Sequence, residues 1–302
     1  MSADTSSPAK QEFSSFAKEL QWSQKLHAGA ILLVPFAGVC ALIACAVVVP
    51  VALVNWVVFI VMYFLTMVVG ITVGYHRMLA HRSFKAPPAI RCFIAICGCM
   101  AAQGTPSYWV SNHRRHHQYS DKAGDPHSPV CDSDVSLGRW KGFTHSHFGW
   151  MFTHELTPTT RYAKDLLQDR LLGRISSLYW WWVYLGILAP GVFVYLWTAS
   201  PVQADIAILL AGLTRLCVAL HVTSAINSLC HMFGGRPHVT RDSSGNLAWL
   251  AVLSGGESWH NNHHAFPHSA KFGHKWWQLD PGFIFIYLLE KAGLAWDVKR
   301  PA

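Results

Sequence analysis

The sequence is poor in charge. Charged side chains make up only 13% of its 302 residues, roughly half the proportion found in an average soluble domain. The 48 residues from Ala28 to Tyr75 contain no Asp, Glu, Lys, Arg or His. At about 1.5 Å per helical residue this stretch would extend about 72 Å, enough for two crossings of a hydrocarbon core about 30 Å thick. The composition therefore excludes a disordered chain and favours a membrane-embedded protein over a water-soluble globule.

Other patterns are absent as well. The eight cysteines form no C-x-x-C pair, so reduced thiols are expected rather than disulfides or a zinc ribbon. Residues 1–27 are rich in charge and lack the apolar core of a signal peptide. The formal net charge is +8, but the basic residues are scattered between apolar segments. That distribution is typical of the inner loops of a membrane protein, and no nucleic-acid partner is expected.

Four apolar stretches are long enough to span a membrane. They are predicted at residues 28–49, 51–74, 175–197 and 206–230. Pro50 marks the turn within the first pair, because proline is most easily placed between helices. The sequence thus predicts an all-α integral membrane protein with four transmembrane helices in two hairpins. Residues 1–27 would form a cytoplasmic N-terminal segment, and residues 28–302 a single membrane-embedded domain.

The distribution of basic residues predicts the orientation. Neither hairpin tip carries Lys or Arg, whereas the opposite ends of the spans do. The positive-inside rule therefore places both termini and the segment between the hairpins in the cytoplasm. The apolar run from Cys92 to Gln103 has only 12 residues, so it is expected to lie at the interface or to re-enter rather than to cross.

Histidine is abundant, and three histidine motifs fall on the predicted cytoplasmic side. They are His76–His81 at the end of the second span, His113–His117, and His260–His264. In the second and third motifs the i, i+3, i+4 spacing places three imidazoles on one face of a helix. His76 and His81 are five residues apart, so both can reach one site only if the helix ends between them. Asn227 and His231 add a polar pair at the end of the fourth span.

Nine imidazoles are too many for one metal ion and fit two. Imidazole suits zinc, copper, iron and nickel alike, so the spacing leaves the element open. A ferritin-like di-iron site is excluded because only Glu257 and His260 show the Glu-x-x-His spacing. A zinc protease is disfavoured because His154-Glu155 is not part of an H-E-x-x-H motif. The expected fold therefore carries a cytoplasmic helical cap that holds a di-metal site. The nine candidate ligands are His76, His81, His113, His116, His117, His231, His260, His263 and His264.

The other polar residues have no such spacing. The remaining nine histidines, including His127 and His147, are interpreted as solvated, capping or outer-layer residues. Arg215 lies inside the fourth span, where an arginine serves either a functional site or a polar contact between helices. Basic residues near the motifs could bind the phosphates of a ligand or could be solvated loop charges. They are Arg82, Arg114, Arg115 and Lys122.

At these motifs the sequence resembles the membrane-bound fatty acyl desaturases, in particular the stearoyl-type delta-9 branch. The motifs match the family's boxes H-x-x-x-x-H, H-x-x-H-H and H-x-x-H-H in order. The resemblance covers about residues 50–295 and includes Asp125-Pro-His127, Asn227-Ser-Leu-Cys-His231 and Gly256-Glu-Ser-Trp-His260. A five-residue step in the first box is typical of this branch rather than of the delta-12 and omega-3 desaturases.

The resemblance implies an oxygen-dependent enzyme that inserts a cis double bond, at the delta-9 position, into a saturated acyl chain. The nine histidines would ligate two iron ions, with Asn227 holding a water on one of them, and O2 would be the co-substrate. The acyl chain could arrive as acyl-CoA, acyl-ACP or acyl-lipid. Electrons would come from a separate ferredoxin, or from cytochrome b5 with its reductase. The location implied is a bacterial inner membrane. Candidate walls of an acyl tunnel are Trp109, Phe148, Trp150 and Trp259.

Two alternatives remain open at this point. An acyl hydroxylase or acetylenase could use the same scaffold, and product analysis would distinguish it. A histidine-rich membrane metal transporter belongs to a different class, but its ligands would lie at mid-span near discontinuous helices. Here the histidines are predicted at one membrane face.

Overall fold

The structure is a computed structural model that describes residues 18–153 and 156–301. This part of the chain is mostly helical, with one short antiparallel hairpin between β1, Cys131–Asp132, and β2, Val135–Ser136. Most of the predicted segment 1–27 lies outside the described residues, as do His154 and Glu155. All eight cysteines are free thiols, as expected.

Four helices are long and apolar enough to cross a membrane. They comprise Gln21–Ala46, Leu53–Ala80, Tyr179–Thr198 and Pro201–Met232. This confirms the prediction of a helical protein with four candidate spans. The second helix extends six residues beyond the predicted 51–74, so His76 lies within it. Pro88–Cys99 is apolar but too short to cross, as its length predicted.

The helices are numbered in chain order. The first span belongs to α1, Lys18–Ala46, and the second to α2, Leu53–Tyr63, which continues as a π-helix, Phe64–Ala80. The third is α10, Tyr179–Thr198, and the fourth is α11, Pro201–Ala207, which continues through a π-helical stretch into α12, Arg215–Met232. The other helices are α3 Pro88–Cys99, α4 Pro106–Tyr119, α5 Arg139–Thr144, α6 Trp150–Thr153, α7 Thr159–Tyr162, α8 Lys164–Leu167, α9 Arg170–Ser177, α13 His260–Ala265 and α14 Pro281–Lys291.

The tips of the two hairpins lie at the same end of the molecule and are joined by Gln203 at the start of α11. Its side-chain oxygen accepts hydrogen bonds from the Ala52 amide at 3.2 Å and from Asn55 at 2.6 Å. Its side-chain nitrogen donates to the Pro50 carbonyl at 3.1 Å. The histidine-bearing segments consequently share the opposite end.

The π-helix Phe64–Ala80 explains how the first histidine motif converges. A π-helix has i to i−5 hydrogen bonds, so residues five apart come onto one face. The helix ends at Ala80, between the two histidines, and the His81 amide donates to the His76 carbonyl at 3.1 Å. The two imidazole centroids are 4.8 Å apart. The five-residue spacing is therefore a consequence of the wide final turn.

Arg215 forms a polar contact between helices. Its side chain is fully buried, and its nitrogens donate to Thr66 at 3.0 Å, to the Met100 carbonyl at 3.1 Å and to the Gly186 carbonyl at 3.1 Å. A fourth bond, at 2.8 Å, goes to the Ala211 carbonyl within its own helix. The arginine thereby links the second, third and fourth spans to the end of α3. It has a structural role and no contact with the histidines is shown.

Candidate metal centre

The structure gathers the histidines into two groups. His76, His81, His113, His117 and His263 form one group, and His116, His231, His260 and His264 form the other. Within each group, one nitrogen of every residue lies within 4.8 Å of the others. All nine histidines singled out from the sequence belong to these groups, which together are compatible with a metal site. A further cluster, His116, Asp125 and His127, adjoins the second group.

Each of the two helical motifs contributes histidines to both groups, although the spacing places its three imidazoles on one face of the helix. On α4, His113 and His117 belong to the first group, whereas His116 belongs to the second. On α13, His263 belongs to the first group and His260 to the second. Viewed along the helix axis, residues i+3 and i+4 project on opposite sides of residue i. A helix that passes between two sites can therefore supply ligands to both.

The nitrogens in each group face one another at a spacing that suits metal ligation. The Nε2 atoms of His76 and His263 are 3.0 Å apart, and those of His81 and His113 are 2.8 Å apart. In the second group, the Nε2 atoms of His231 and His260 are 3.0 Å apart. Two nitrogens held at right angles about 2.1 Å from an ion would be about 3 Å apart.

Carboxylates orient four of the imidazoles from behind. His116 Nδ1 lies 3.0 Å from Asp125, His231 Nδ1 lies 3.0 Å from Asp121, and His264 Nδ1 lies 2.7 Å from Asp242. His76 Nδ1 contacts Glu257 in the same way. A carboxylate that accepts the Nδ1 proton fixes the tautomer and leaves the Nε2 lone pair pointing into the site.

The inward-facing nitrogens provide a test of whether these residues fit a metal. The Nε2 atoms of His116 and His264 are buried and have no hydrogen-bond partner among the described residues. An unpartnered buried nitrogen is costly unless another group satisfies it. With Nδ1 already donating to a carboxylate, each free Nε2 offers a lone pair, so the donor set fits a cation.

Burial also favours the neutral form that metal ligands require. It is the main cause that lowers the pKa of several histidines outside the spans, and neighbouring imidazoles reinforce it. They are His81, His113, His117, His260 and His263. For His264, burial lowers the pKa to about 4 despite the Asp242 carboxylate. His116 differs: burial lowers its pKa, but the carboxylates of Asp125, Asp121 and Asp242 together outweigh burial and raise it.

Comparison with known proteins shows which family has this pattern. The profile of the fatty acid desaturase family matches residues 54–284. The chain belongs to the fatty acid desaturase family. It is an oxidoreductase of the fatty acyl desaturase type, with its histidine groups at the ends of membrane-spanning helices.

Similar family members act on different acyl carriers. The chain is 43% identical over 235 residues to a hex-5-enoyl-[acyl-carrier protein] acetylenase of Moorena producens, covering 77% of this chain and 73% of the relative. It is 42% identical over 240 residues to delta-9 acyl-lipid desaturase 1 of Arabidopsis thaliana, covering 77% and 72%. It is 38% identical over 251 residues to an acyl-CoA C20 delta5-desaturase of Anemone leveillei, covering 82% and 74%.

A cavity adjoins the histidine groups of this desaturase. His113, Asn227 and two of the predicted tunnel aromatics, Trp109 and Trp150, line it. Trp109 stacks on His113 with ring centroids 5.0 Å apart. Asn227 thus lies on the cavity wall, one helical turn before His231 on α12.

Two of the predicted tunnel aromatics lie elsewhere. Trp259 is buried in a separate small core beside Phe272, and its indole donates to the Leu279 carbonyl at 2.8 Å. Phe148 packs edge-on against His147. His127, by contrast, lines the cavity and lies between His116 and Trp150, so its interpretation as an outer-layer residue was incomplete.

The basic residues near the motifs are mainly structural. Arg114 uses all five of its N–H groups. It donates to the Leu79 and Ala80 carbonyls at 2.7 and 3.0 Å, to the Tyr162 carbonyl at 2.8 Å, and to both oxygens of Asp165 at 2.7 and 3.0 Å. The guanidinium group therefore ties the end of the π-helix, which bears the first motif, to α4, which bears the second.

Sequence reasoning missed the carboxylates that orient the imidazoles. Asp121, Asp125, Asp242 and Glu257 were not assigned to the site, although each contacts a histidine of one of the two groups. One signal was available: acidic residues are scarce in this chain, with only 16 Asp and Glu, yet several stand within a few positions of the motifs. Histidines that bind metals usually donate their second ring nitrogen to such a carboxylate.

Proposed function

We propose that the enzyme inserts a cis double bond at the delta-9 position of a saturated acyl chain, using a histidine-ligated di-iron centre, O2 and external electrons. The two groups of facing imidazole nitrogens, each backed by at least one carboxylate, carry this proposal together with the cavity that His113 lines. Bound iron would supply reduction of O2 to two waters, coupled to loss of two hydrogens from the chain and to uptake of two electrons from the donor and two protons from water.

The proposed ligands follow the two groups. His76, His81, His113, His117 and His263 would hold one ion, and His116, His231, His260 and His264 the other. Asn227, on the cavity wall, would hold a water on one of them. The protein's contribution to catalysis is positional, because a desaturation requires one methylene pair to be held beside the metals.

The cavity would fix the acyl chain. Trp109 is held against His113 by stacking and against Tyr75 by a ring contact at 5.9 Å, so it presents a rigid wall next to the ligands. Gln103 donates to Thr223 at 3.0 Å across the cavity. A chain confined between such walls would present the same carbons to the ions at each turnover.

A groove separate from this cavity suits the electron donor. It is lined by His81, His117 and His264 together with Arg82 and Arg241. Segments 81–178 and 233–302 carry 19 Lys and Arg against 12 Asp and Glu, a net charge of +7. An acidic carrier such as a ferredoxin or cytochrome b5 would be attracted to this surface. By the positive-inside rule, the same charge supports a cytoplasmic position for the motifs and both termini, with a bacterial inner membrane as the proposed location.

An acetylenase is the second candidate, because a relative with 43% identity carries that name. An acetylenase would act on a chain that already has a double bond and would leave a triple bond. A metal transporter is less well supported, because the histidines lie at one end of the spans rather than midway along them.

Expression in a desaturase-deficient host with a competent electron donor tests the proposal. The products are mapped by double-bond position, and the lipid, acyl-CoA and acyl-ACP pools are separated to identify the carrier. A new delta-9 cis-monoene supports the proposal; persistent saturated chains overturn it, and a triple bond favours the acetylenase.

One variant tests the ligand assignment. We expect His116→Ala to abolish turnover while the protein still inserts into the membrane, because the second group would lose one of only four nitrogens. Membrane fractionation checks insertion. Retained turnover would contradict the role of His116 as a ligand.

A further inference from the structure

A second cavity lies within the membrane-spanning region, between α1 and α10. Its floor is formed by buried apolar residues: Ala101, Ala102, Leu216 and Leu220. Of the described residues that line it, none is charged. Because an unpaired polar group is costly in such surroundings, the cavity accepts hydrocarbon and little else.

The cavity opens sideways through a mouth formed by four residues. Ala30 and Val34 stand on α1, and Trp180 and Tyr184 stand on α10. Their side chains are exposed, to 53% for Val34 and 54% for Tyr184. Both helices are candidate membrane spans, so this mouth faces the acyl chains of the bilayer rather than water.

The second cavity adjoins the cavity beside the histidines. Ile31 and Leu220 line both. Towards the motif-bearing end, α1 and α10 are joined by His27, whose Nε2 lies 3.1 Å from the Tyr179 hydroxyl. The mouth is therefore bounded at that end by a polar contact, and only apolar residues separate the bilayer from the cavity that reaches His113.

We propose that the mouth formed by Ala30, Val34, Trp180 and Tyr184 is a lateral portal through which the acyl chain of a phospholipid passes from the bilayer into the cavity beside the histidines. The claim that this acyl chain is also the substrate rests on the proposed function. Occupation of the portal by a hydrocarbon chain is independent of that function, since it depends only on the shape, the apolar lining and the position of the mouth within the spans.

Photolabelling of the full chain in phospholipid vesicles tests the portal. The probe is a phosphatidylcholine with a diazirine near the end of one acyl chain, compared with a free fatty acid bearing the same diazirine. Labelled peptides are identified by mass spectrometry. The floor residue Leu216 is buried behind the mouth and does not line the cavity beside the histidines, so it should be labelled only by a chain that has entered the mouth.

The variant Ala30→Trp places an indole in the mouth. We expect it to reduce phospholipid labelling of the floor at least five-fold. Leu33→Trp is the matched control, since Leu33 is 69% exposed on the same helix and does not line the cavity; it should leave labelling unchanged. Val34→Trp gives a second blocked mouth should Ala30→Trp fail to run as a monodisperse protein.

Several outcomes would overturn the portal: no floor labelling in the wild type, wild-type labelling in both mouth variants, or labelling by the free fatty acid alone. Turnover in the same vesicles separates this inference from the proposed function. Floor labelling without formation of an unsaturated chain leaves the portal standing and overturns the function. Turnover without floor labelling overturns the portal and leaves the proposed function standing.

Discussion

Arg114, in the second histidine motif, contacts the end of the first motif, and its replacement gives a specific prediction. Arg114→Lys keeps the positive charge but cannot reproduce the planar fork that contacts Leu79, Ala80, Tyr162 and Asp165. A lysine can reach Asp165 and at most one or two other acceptors. The bonds to the Leu79 and Ala80 carbonyls are the ones that fix the end of the π-helix, immediately before His81. Their loss should loosen the first motif relative to α4.

The magnitude follows from these contacts. A hydrogen bond from a charged donor contributes about 1.5–3 kcal/mol, so loss of two should destabilise the protein by about 3 kcal/mol. The side chain of Arg114 is only 19% exposed, so solvent can replace little of this. For a chain of this size the melting temperature should fall by roughly 5 °C. Metal content after purification should fall as well, because His81 follows the loosened turn.

Arg82→Lys is the matched control. Arg82 also pairs with Asp165, at 2.6 Å, but its side chain is 65% exposed. An exposed ion pair contributes less than about 1 kcal/mol, so this variant should melt within roughly 3 °C of the wild type. Thermal melting followed by size-exclusion chromatography, and elemental analysis, measure both quantities. Equal effects of the two variants, or full metal content in Arg114→Lys, would refute the reasoning.

Two further predictions concern carboxylates. Burial opposes ionisation of Asp165, but hydrogen bonds from Arg114 and Arg82 hold its pKa at about 2; its stabilising effect should therefore persist above about pH 4 and disappear as the pH falls towards 2. The melting difference between wild type and Asp165→Asn should narrow over that range, and a constant difference would contradict the assignment. Asp121→Asn should weaken metal binding about 10–100-fold in a chelator titration, because Asp121 orients His231. Asp297→Asn alters an exposed ion pair with Lys85 and should leave metal binding unchanged. Equal losses of metal affinity in the two variants would contradict the orienting role of Asp121.

The arrangement of the spans was predictable because it depends only on the length of the apolar stretches and on how many of them there are. Apolar length predicted four spans, and an even number of spans places the histidine motifs at one end. The boundaries of the second span were less predictable. Apolar residues end at Tyr75, but the helix continues to Ala80 because the histidines and Arg77 are buried by segments 255–280 rather than by lipid. Such tertiary burial leaves no trace in a hydropathy profile.

The allocation of the histidines between the two groups was not predictable either. A spacing of i, i+3, i+4 shows only that three side chains share a face. Whether they serve one ion or two depends on where the neighbouring helices lie, and α4 passes between the two groups. The wide π-helical turn at His76 was not predictable from the sequence either. Its hydrogen-bond register depends on packing against α3, where the ring of Tyr75 leaves no room for a side chain at Gly98.

The scarcity of acidic residues then has a physical explanation. An imidazole buried near a membrane needs a partner for its second nitrogen, and a carboxylate supplies one only at a high desolvation cost. In this chain Asp121, Asp125 and Asp242 meet that cost by contacting a histidine together with a serine or a backbone amide. The motif histidines and His231 supply the nitrogens, while these three acids and Glu257 orient four of the imidazoles. A sequence that kept every histidine box but lost these acids would retain the pattern of the site and lose its geometry.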